Sequence, residues 1–590
     1  MKPVFTIKNI YFASAFSIFI YLILRAIFVP PVHDEAATFM HYIQRNEWKP
    51  FQAHWDANNH LLNSFLSSQI FKIFGFGTLQ LRLASLIFFP LFVWFVWKIS
   101  AFLKSNIVKI GFLCGMVGAH NLMEYFGYSR GYAMSMALLM ASIFYILQYF
   151  QEFQLRKLWL FYLFSALALM ANLTLFNTML LLNGLLFLSF ILKNKRWLQK
   201  FVFLVLGFLP IVGAAILSMK MKELGLLYYG GDRSFYHITV WSLVILIYDE
   251  WHTSIAVFFI VLACLGIVFL GAGGNREGYK NILFTQRWFF AILFLGNILA
   301  TVLLQLLLKV NYPEDRTAMY FYFFLVLFFC FSLDVISIDK LTYLAVVWIV
   351  FPLHFIFNIN LTHATYWYYE HLPNTFYQEI NKRVGDHPEK VSIGGYVLMD
   401  MIWAYYNQAN GGKLNDLQTN DYPSFYYDYL ILYNDNNNAF AQDDYNILLS
   451  SPYSGIRVLE RKEKIELKLI TSYTFPDKPE NWDEYTTFFE SDSLKKYKNL
   501  CFDIKMDFKC PLNFFFGMMV LGAEQPQGQG QMETQQLHLL RTQWKKGYPF
   551  HHSIYMQNIS PATNRIVCYF WNPRKQLTRL TNISISIYYW

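Results

Sequence analysis

Apolar residues fall in long blocks over the first 360 positions, with short polar stretches between them. The first block, Ile10 to Val29, follows Lys2 and Lys8 and is long enough to cross a bilayer. No small-residue cleavage site follows it, so it predicts an uncleaved anchor rather than a removed signal peptide. Further blocks predict spans at 81–103, 110–124, 132–150, 158–171, 175–192, 201–219, 253–272, 288–308, 317–333 and 341–359. That makes about eleven spans. Leu61 to Phe76 is shorter and flanked by polar groups, which predicts a helix lying along the interface.

Beyond residue 360 the pattern changes. Tyr366-Trp367-Tyr368-Tyr369-Glu370-His371 reads as an aromatic belt where a span meets headgroups. Val391 to Tyr396 and Tyr427 to Tyr433 predict strands around a helix from about Leu398 to Gln408, a small α/β unit. Cys501 to Cys510, Ile566 to Trp571 and Ile583 to Tyr589 alternate apolar with polar side chains and predict a β-sandwich, with Gln525 to Gln536 as a long hairpin loop. The expected fold class is a polytopic α-helical membrane protein with a C-terminal extracytoplasmic α/β plus β-sandwich region. Its parts are residues 1–360, 361–460 and 461–590.

Composition agrees: 55% of the 590 residues are hydrophobic and only 15% charged, too apolar for an ordinary soluble protein. The net charge of +9 does not point to nucleic acid, because much of it sits in alternate loops. These carry Lys104 and Lys109, Arg156 and Lys157, then Lys193, Lys195, Arg196 and Lys200, then Arg276, Lys280 and Arg287, and Lys340. With the N-terminus in the cytoplasm, all of them are cytoplasmic. The Asp34 loop, the Tyr128-Ser129-Arg130 turn, the 220–252 loop, the 312–316 loop and everything after 360 then face the other side. The expected location is a bacterial inner membrane, with the C-terminal region periplasmic. Cys114, Cys264 and Cys330 lie within spans as small apolar filler, while Cys501, Cys510 and Cys568 leave one disulfide open.

That partition collects the unusual polar groups on one face. In Pro30-Pro31-Val32-His33-Asp34-Glu35, the prolines stop the first helix and Asp34 is placed to cap a new one, with Glu35 in its first turn. Either this is a plain cap, or one carboxylate meets a reacting group; neighbouring helical residues point about 100° apart, so the two cannot share one proton. Asn59 and His60 precede the short helix, as interfacial hydrogen-bonding groups or as ligands for a substrate. Glu124 stands before Tyr125 to Tyr132, where Arg130 either snorkels or presents its fork to a phosphate. The loop Tyr312-Pro313-Glu314-Asp315-Arg316 repeats an arginine at the mouth of a span. Two such arginines suit an anionic lipid headgroup.

In their order and spacing, His33-Asp34-Glu35, Asn59-His60-Leu61-Leu62, Phe74-Gly75 before Leu81-Arg82-Leu83, Ser129-Arg130-Gly131-Tyr132 and Tyr312 to Arg316 resemble the GT-C membrane glycosyltransferases. Within that superfamily they resemble the branch of protein O-mannosyltransferases and lipid A aminoarabinose transferases, over roughly the first 360 residues. The resemblance implies transfer of a sugar from a polyprenyl-phosphate donor to an acceptor hydroxyl of a protein, glycan or lipid at the outer face. It implies Asp34 as the base, Glu35 beside it, and Arg316 with Arg130 holding the donor phosphate. Expected around the substrates are His33, Asn59, His60, Glu124 and Tyr312. Relatives often carry His-Pro-Pro where this chain has His60-Leu61-Leu62. No obligatory metal is expected, although His33, Asp34 and Glu35 leave a divalent ion open. The alternatives are an oligosaccharyltransferase moving a preassembled glycan, and a lipid or solute transporter, which would place charges at mid-membrane depth.

Overall fold

The computed structural model describes residues 6–193, 197–272, 285–336, 339–385, 391–420, 426–433, 441–512, 515–526, 530–537 and 547–590. Lys2, Lys195, Arg196, Arg276 and Lys280 of the sequence pattern, and 527–529 of the expected Gln525 to Gln536 loop, lie outside them. The chain divides into two units, Met1–Val29 with Asp56–Tyr366, and Pro30–Trp55 with Trp367–Trp590.

The first unit is helical. Among the described residues, nine helices are long and apolar enough to cross a membrane: Ile7–Phe28, Thr78–Ser100, Gly131–Glu152, Leu173–Ile191, Val205–Glu223, Thr253–Ala272, Gln286–Leu308, Asp315–Leu333 and Lys340–Phe357. The two other expected spans are shorter helices. Leu155–Ala171 has 17 residues. Asn106–Val117 has 12 and breaks before restarting as His120–Glu124. The break follows from Gly118: a Cβ there would lie 2.4 Å from the Cys114 carbonyl oxygen and 2.5 Å from Pro352 Cδ, so only glycine lets that chain approach.

Every Asp, Glu, Lys and Arg within the nine spans lies within five residues of a helix end. Such positions let charges find partners without crossing the hydrocarbon. Arg82 is fully buried and gives Nη1 to the carbonyls of Arg25 (3.3 Å), Ala26 (3.4 Å) and Val29 (2.8 Å). It caps the carbonyl end of the first span, where the helix dipole favours a cation.

In the second unit, His33–Thr38 is a short helix continued by one π turn, Phe39–Ile43. It packs against the helix Asp400–Ala409, with the rings of Phe39 and Tyr405 edge-to-face at 5.3 Å. The α/β region has five strands in the order β2-β1-β3-β5-β4: β1 (Ile393–Tyr396), β2 (Gln418–Asn420), β3 (Tyr429–Tyr433), β4 (Tyr445–Ser450) and β5 (Ile456–Arg461). β1 runs parallel to β2 and β3, and β5 antiparallel to β3 and β4. The expected strand–helix–strand unit is present.

The sandwich follows. One sheet has the order β11-β10-β13-β8, from β8 (Tyr485–Ser491), β10 (Met518–Glu524), β11 (Gln531–Gln536) and β13 (Arg565–Trp571). The other has β12-β9-β14-β6, from β6 (Lys468–Thr474), β9 (Leu500–Lys509), β12 (Tyr548–Met556) and β14 (Thr578–Tyr589), with β7 (Lys478–Asn481) beside β14. Phe502, Ile504, Met506 and Phe508 alternate into the core with Ile566, Cys568, Phe570, Ile583, Ile585 and Ile587. Each such side chain contributes about 1.5–3 kcal/mol on burial. The expected Gln525 to Gln536 loop is shorter than the sequence suggests, because Gln531–Gln536 pairs with β10 as an edge strand. Its glutamines carry no apolar alternation, so the pairing has no local signature. Cys501, Cys510 and Cys568 are buried free thiols, and none pairs.

His552 lies on the inward side of β12, beside Phe550 and fully buried. Burial, then the neighbouring His551, pushes its pKa down from 6.5 to about 3, against a smaller opposing pull from Asp503. The unfolded chain therefore binds one more proton than the folded chain between those values, and stability falls as pH drops through that window, by up to about 1.4 kcal/mol per pH unit. The full chain in detergent is expected to melt at progressively lower temperature below pH 6.5, with a flatter profile in His552→Phe. Melting temperatures recorded by near-UV circular dichroism across pH check the slope, and parallel profiles for the two proteins would remove His552 as its cause.

Candidate functional site

The residues singled out by sequence fall in both units. In the second unit the helix after the double proline starts two residues earlier than expected. Val32, not Asp34, is the N-cap, and Asp34 is the second helical residue. The reason is Glu35, whose carboxylate accepts the Val32 N–H at 3.3 Å while its own N–H reaches Val32 O at 3.1 Å, so it closes the first turn itself. Glu35 is fully buried and Asp34 half-buried. The His33 N–H donates to Glu370 Oε2 at 2.6 Å, and His33 Nδ1 lies 2.9 Å from Leu398 O. Thr38 Oγ1 donates to the Asp34 carbonyl at 2.8 Å. The acidic turn is thus pinned on both sides of Asp34.

In the first unit three groups form. Glu124 is the centre of a buried ion network. Arg25 Nη2 lies 2.9 Å from it, Tyr128 donates at 2.7 Å, Thr365 donates from Oγ1 at 2.5 Å and from N at 3.2 Å, and His120 Nε2 lies at 3.3 Å. A carboxylate has about four lone-pair sites, and these partners occupy them. Arg25 is itself shared with Asn360 Oδ1 at 2.9 Å and His363 O at 2.9 Å. Sequence placed Glu124 at a substrate; in the structure it ties the first span to the segment after the last one.

The second group is the Arg130 turn. Arg130 is the N-cap of Gly131–Glu152 and is buried rather than snorkelling. Its Nη1 donates to Asn58 Oδ1, and its guanidinium lies 5.4 Å from the centre of the Tyr132 ring. Gly131 is required here, because a Cβ would sit 1.9 Å from Ala171 O and 2.8 Å from His60 Cβ. His60 is the N-cap of Leu61–Phe74, has Nδ1 2.8 Å from the same Ala171 oxygen, and lies edge-on to Tyr132 at 4.5 Å. Asn59 is spent nearby, its Oδ1 accepting from Ser64 at 2.9 Å.

The third group is the 312–316 loop, which folds over the 228–242 segment. The Tyr312 N–H donates to Gly231 O at 2.8 Å and the Tyr312 ring packs on Phe235 at 6.2 Å, which gives Tyr312 a loop-to-loop role. Arg316 lies with its guanidinium 4.5 Å from the centre of the Tyr229 ring. Its Nη1 donates to the Tyr229 hydroxyl at 2.7 Å and lies 3.2 Å from Asp315 Oδ2. The same Oδ2 accepts from Tyr366 at 2.9 Å and from the Tyr229 hydroxyl. Asp315 takes the left-handed backbone region (φ 39°), and its N–H donates to Ser242 Oγ at 2.7 Å. Burial, then the neighbouring Asp315, raises the pKa of Glu314.

Tyr229, Asp315 and Tyr366 are the residues that sequence reasoning left without a role. Asp315 was visible in the motif beside Arg316. Tyr366 was absorbed into an aromatic belt, and Tyr229 precedes Gly230-Gly231 in a loop with no other signal. Among the described residues, no three His, Cys, Asp or Glu side chains converge to hold a metal ion.

No family model and no curated protein matches the chain. Among solved structures, the chain is similar to ArnT from Cupriavidus metallidurans, in the apo state and bound to undecaprenyl phosphate. Each alignment has 10% identity, covers 76% of this chain and 97% of that one, and has a TM-score of 0.34. It is also similar to the arabinosyltransferase EmbB from Mycobacterium smegmatis, at 11% identity over 97% of this chain and 64% of that one, with a TM-score of 0.31. Likeness at this level assigns no role to any residue of this chain.

Proposed function

We propose that this protein is a membrane glycosyltransferase of the GT-C type, which moves a sugar from a polyprenyl-phosphate donor to an acceptor hydroxyl on the extracytoplasmic face of a bacterial inner membrane. The observation that carries this reading is Arg316, a guanidinium at the mouth of the span Asp315–Leu333, laid on an aromatic ring and aligned by a carboxylate. A cation held there suits a lipid phosphate whose tail lies among the spans. Charges confined to span ends favour chemistry at the interface over transport through the membrane.

In the proposed reaction the acceptor hydroxyl gives its proton to Asp34 as its oxygen bonds to the sugar's anomeric carbon. The bond from that carbon to the phosphate oxygen breaks, and polyprenyl phosphate leaves with the electron pair. Arg316, with Arg130 as second cation, meets the charge that grows on the departing phosphate. Glu35 acts on the geometry of Asp34 through the first turn of its helix. The step needs no obligatory metal.

The test is transfer of label from a pool of polyprenyl-phosphate sugars in membranes containing wild type or Arg316→Ala. Wild type is expected to transfer above membranes lacking the protein, and Arg316→Ala to fall by roughly 10²–10³-fold at equal protein level. Wild type at background, or Arg316→Ala at the wild-type rate, would overturn the proposal.

A further inference from the structure

A long arginine side chain at a membrane surface ordinarily samples many rotamers, and a phosphate that binds it must first stop that motion. Arg316 is already stopped. Its guanidinium has the Tyr229 ring on one face, the Tyr229 hydroxyl at 2.7 Å and the Asp315 carboxylate at 3.2 Å. The Arg316 side chain is 13% exposed and that of Asp315 3%. Such a pair stays in place only when the carboxylate is itself held, and it is: Tyr366 and Tyr229 both donate to its Oδ2, and Ser242 fixes its backbone.

The left-handed backbone at Asp315 points the same way. A non-glycine residue held in that region costs free energy that its surroundings must offset, and such residues gather where a side chain has to be aimed. Burial pushes the ionisation of the Tyr229 hydroxyl upward, so it remains protonated and can donate to Asp315 while accepting from Arg316. Tyr229 is nevertheless 37% exposed, so replacing it removes the platform without emptying a core.

Building on the reading of Arg316 as the donor-phosphate cation, we infer that Tyr229, with Asp315, is a positioning residue that fixes the Arg316 guanidinium before the lipid phosphate arrives. Tyr229 contributes two separable parts, the ring face and the hydroxyl. Asp315 supplies the direction and the counter-charge that lets the guanidinium stand ready.

The experiment measures binding of tritiated C55 polyprenyl phosphate and of the matching polyprenol to the purified full chain in detergent, and takes the ratio of affinities. This ratio cancels changes in folded fraction and in tail binding. Wild type is expected to prefer the phosphate by about tenfold or more, and Arg316→Ala to bring the ratio near one. Tyr229→Phe, which keeps the ring, is expected to lower the ratio roughly threefold, and Tyr229→Ala to bring it close to that of Arg316→Ala. If wild type fails to distinguish phosphate from polyprenol, the reading of Arg316 falls. If Arg316→Ala loses the preference while both Tyr229 variants keep it, Arg316 stands and the inference about Tyr229 is overturned.

Discussion

Asp34→Asn is expected to lower sugar transfer by about 10²–10⁴-fold at unchanged protein level, the range general bases commonly supply. The substitution preserves shape and removes only the basic oxygen. Rather than the cap, Asp34 is the second residue of its helix, where a carboxylate's contact with the helix dipole contributes about 0.3–1 kcal/mol. The turn keeps its other anchors: Glu35 on Val32, His33 on Glu370, and Thr38 on the Asp34 carbonyl. A loss of transfer in a protein that melts like wild type therefore reports chemistry. Equal transfer by Asp34→Asn in the labelled-sugar assay would return the turn to a simple helix start and leave the reaction without its base.

The second large effect is on stability. Glu124→Ala is expected to lose most of the folded protein, because it strands Arg25, whose side chain is 3% exposed, without its counter-ion. Breaking a buried pair on one side costs about 3–5 kcal/mol, a large fraction of the roughly 5–15 kcal/mol that holds a domain together. Replacing both partners removes the stranded charge, so Arg25→Met combined with Glu124→Leu is expected to recover much of the yield. Size-exclusion profiles and melting temperatures of the two variants decide it. A Glu124→Ala protein that melts with wild type would mean the network carries no such load.

Much of the architecture is legible without coordinates because it is local. A run of about twenty apolar residues forms a crossing helix wherever it lies, since backbone groups in lipid must be satisfied within the segment. Among the described residues, all nine helices long enough to cross coincide with expected spans. Of the two expected spans that are shorter helices, Asn106–Val117 is interrupted by a single glycine contact, Gly118 against Pro352, and no periodicity carries that information. The alternation in β9, β13 and β14 is likewise a local property of a sheet with one buried face.

What the sequence by itself determined is the long apolar helices, the strands whose apolar and polar residues alternate most clearly, and the identity of the polar motifs between them. What only the tertiary structure decided is who partners whom. Glu124 meets Thr365 across 241 positions, Tyr229 meets Asp315 across 86, and His33 meets Leu398 across 365, which ties the acidic turn to the second unit although it directly follows the first span. The physical reason is that hydrogen bonds and ion pairs depend on distance in space, while a sequence records distance along the chain. A carboxylate next to a span therefore reads the same whether it is saturated like Glu124 or half-buried like Asp34, and only the fold separates the two.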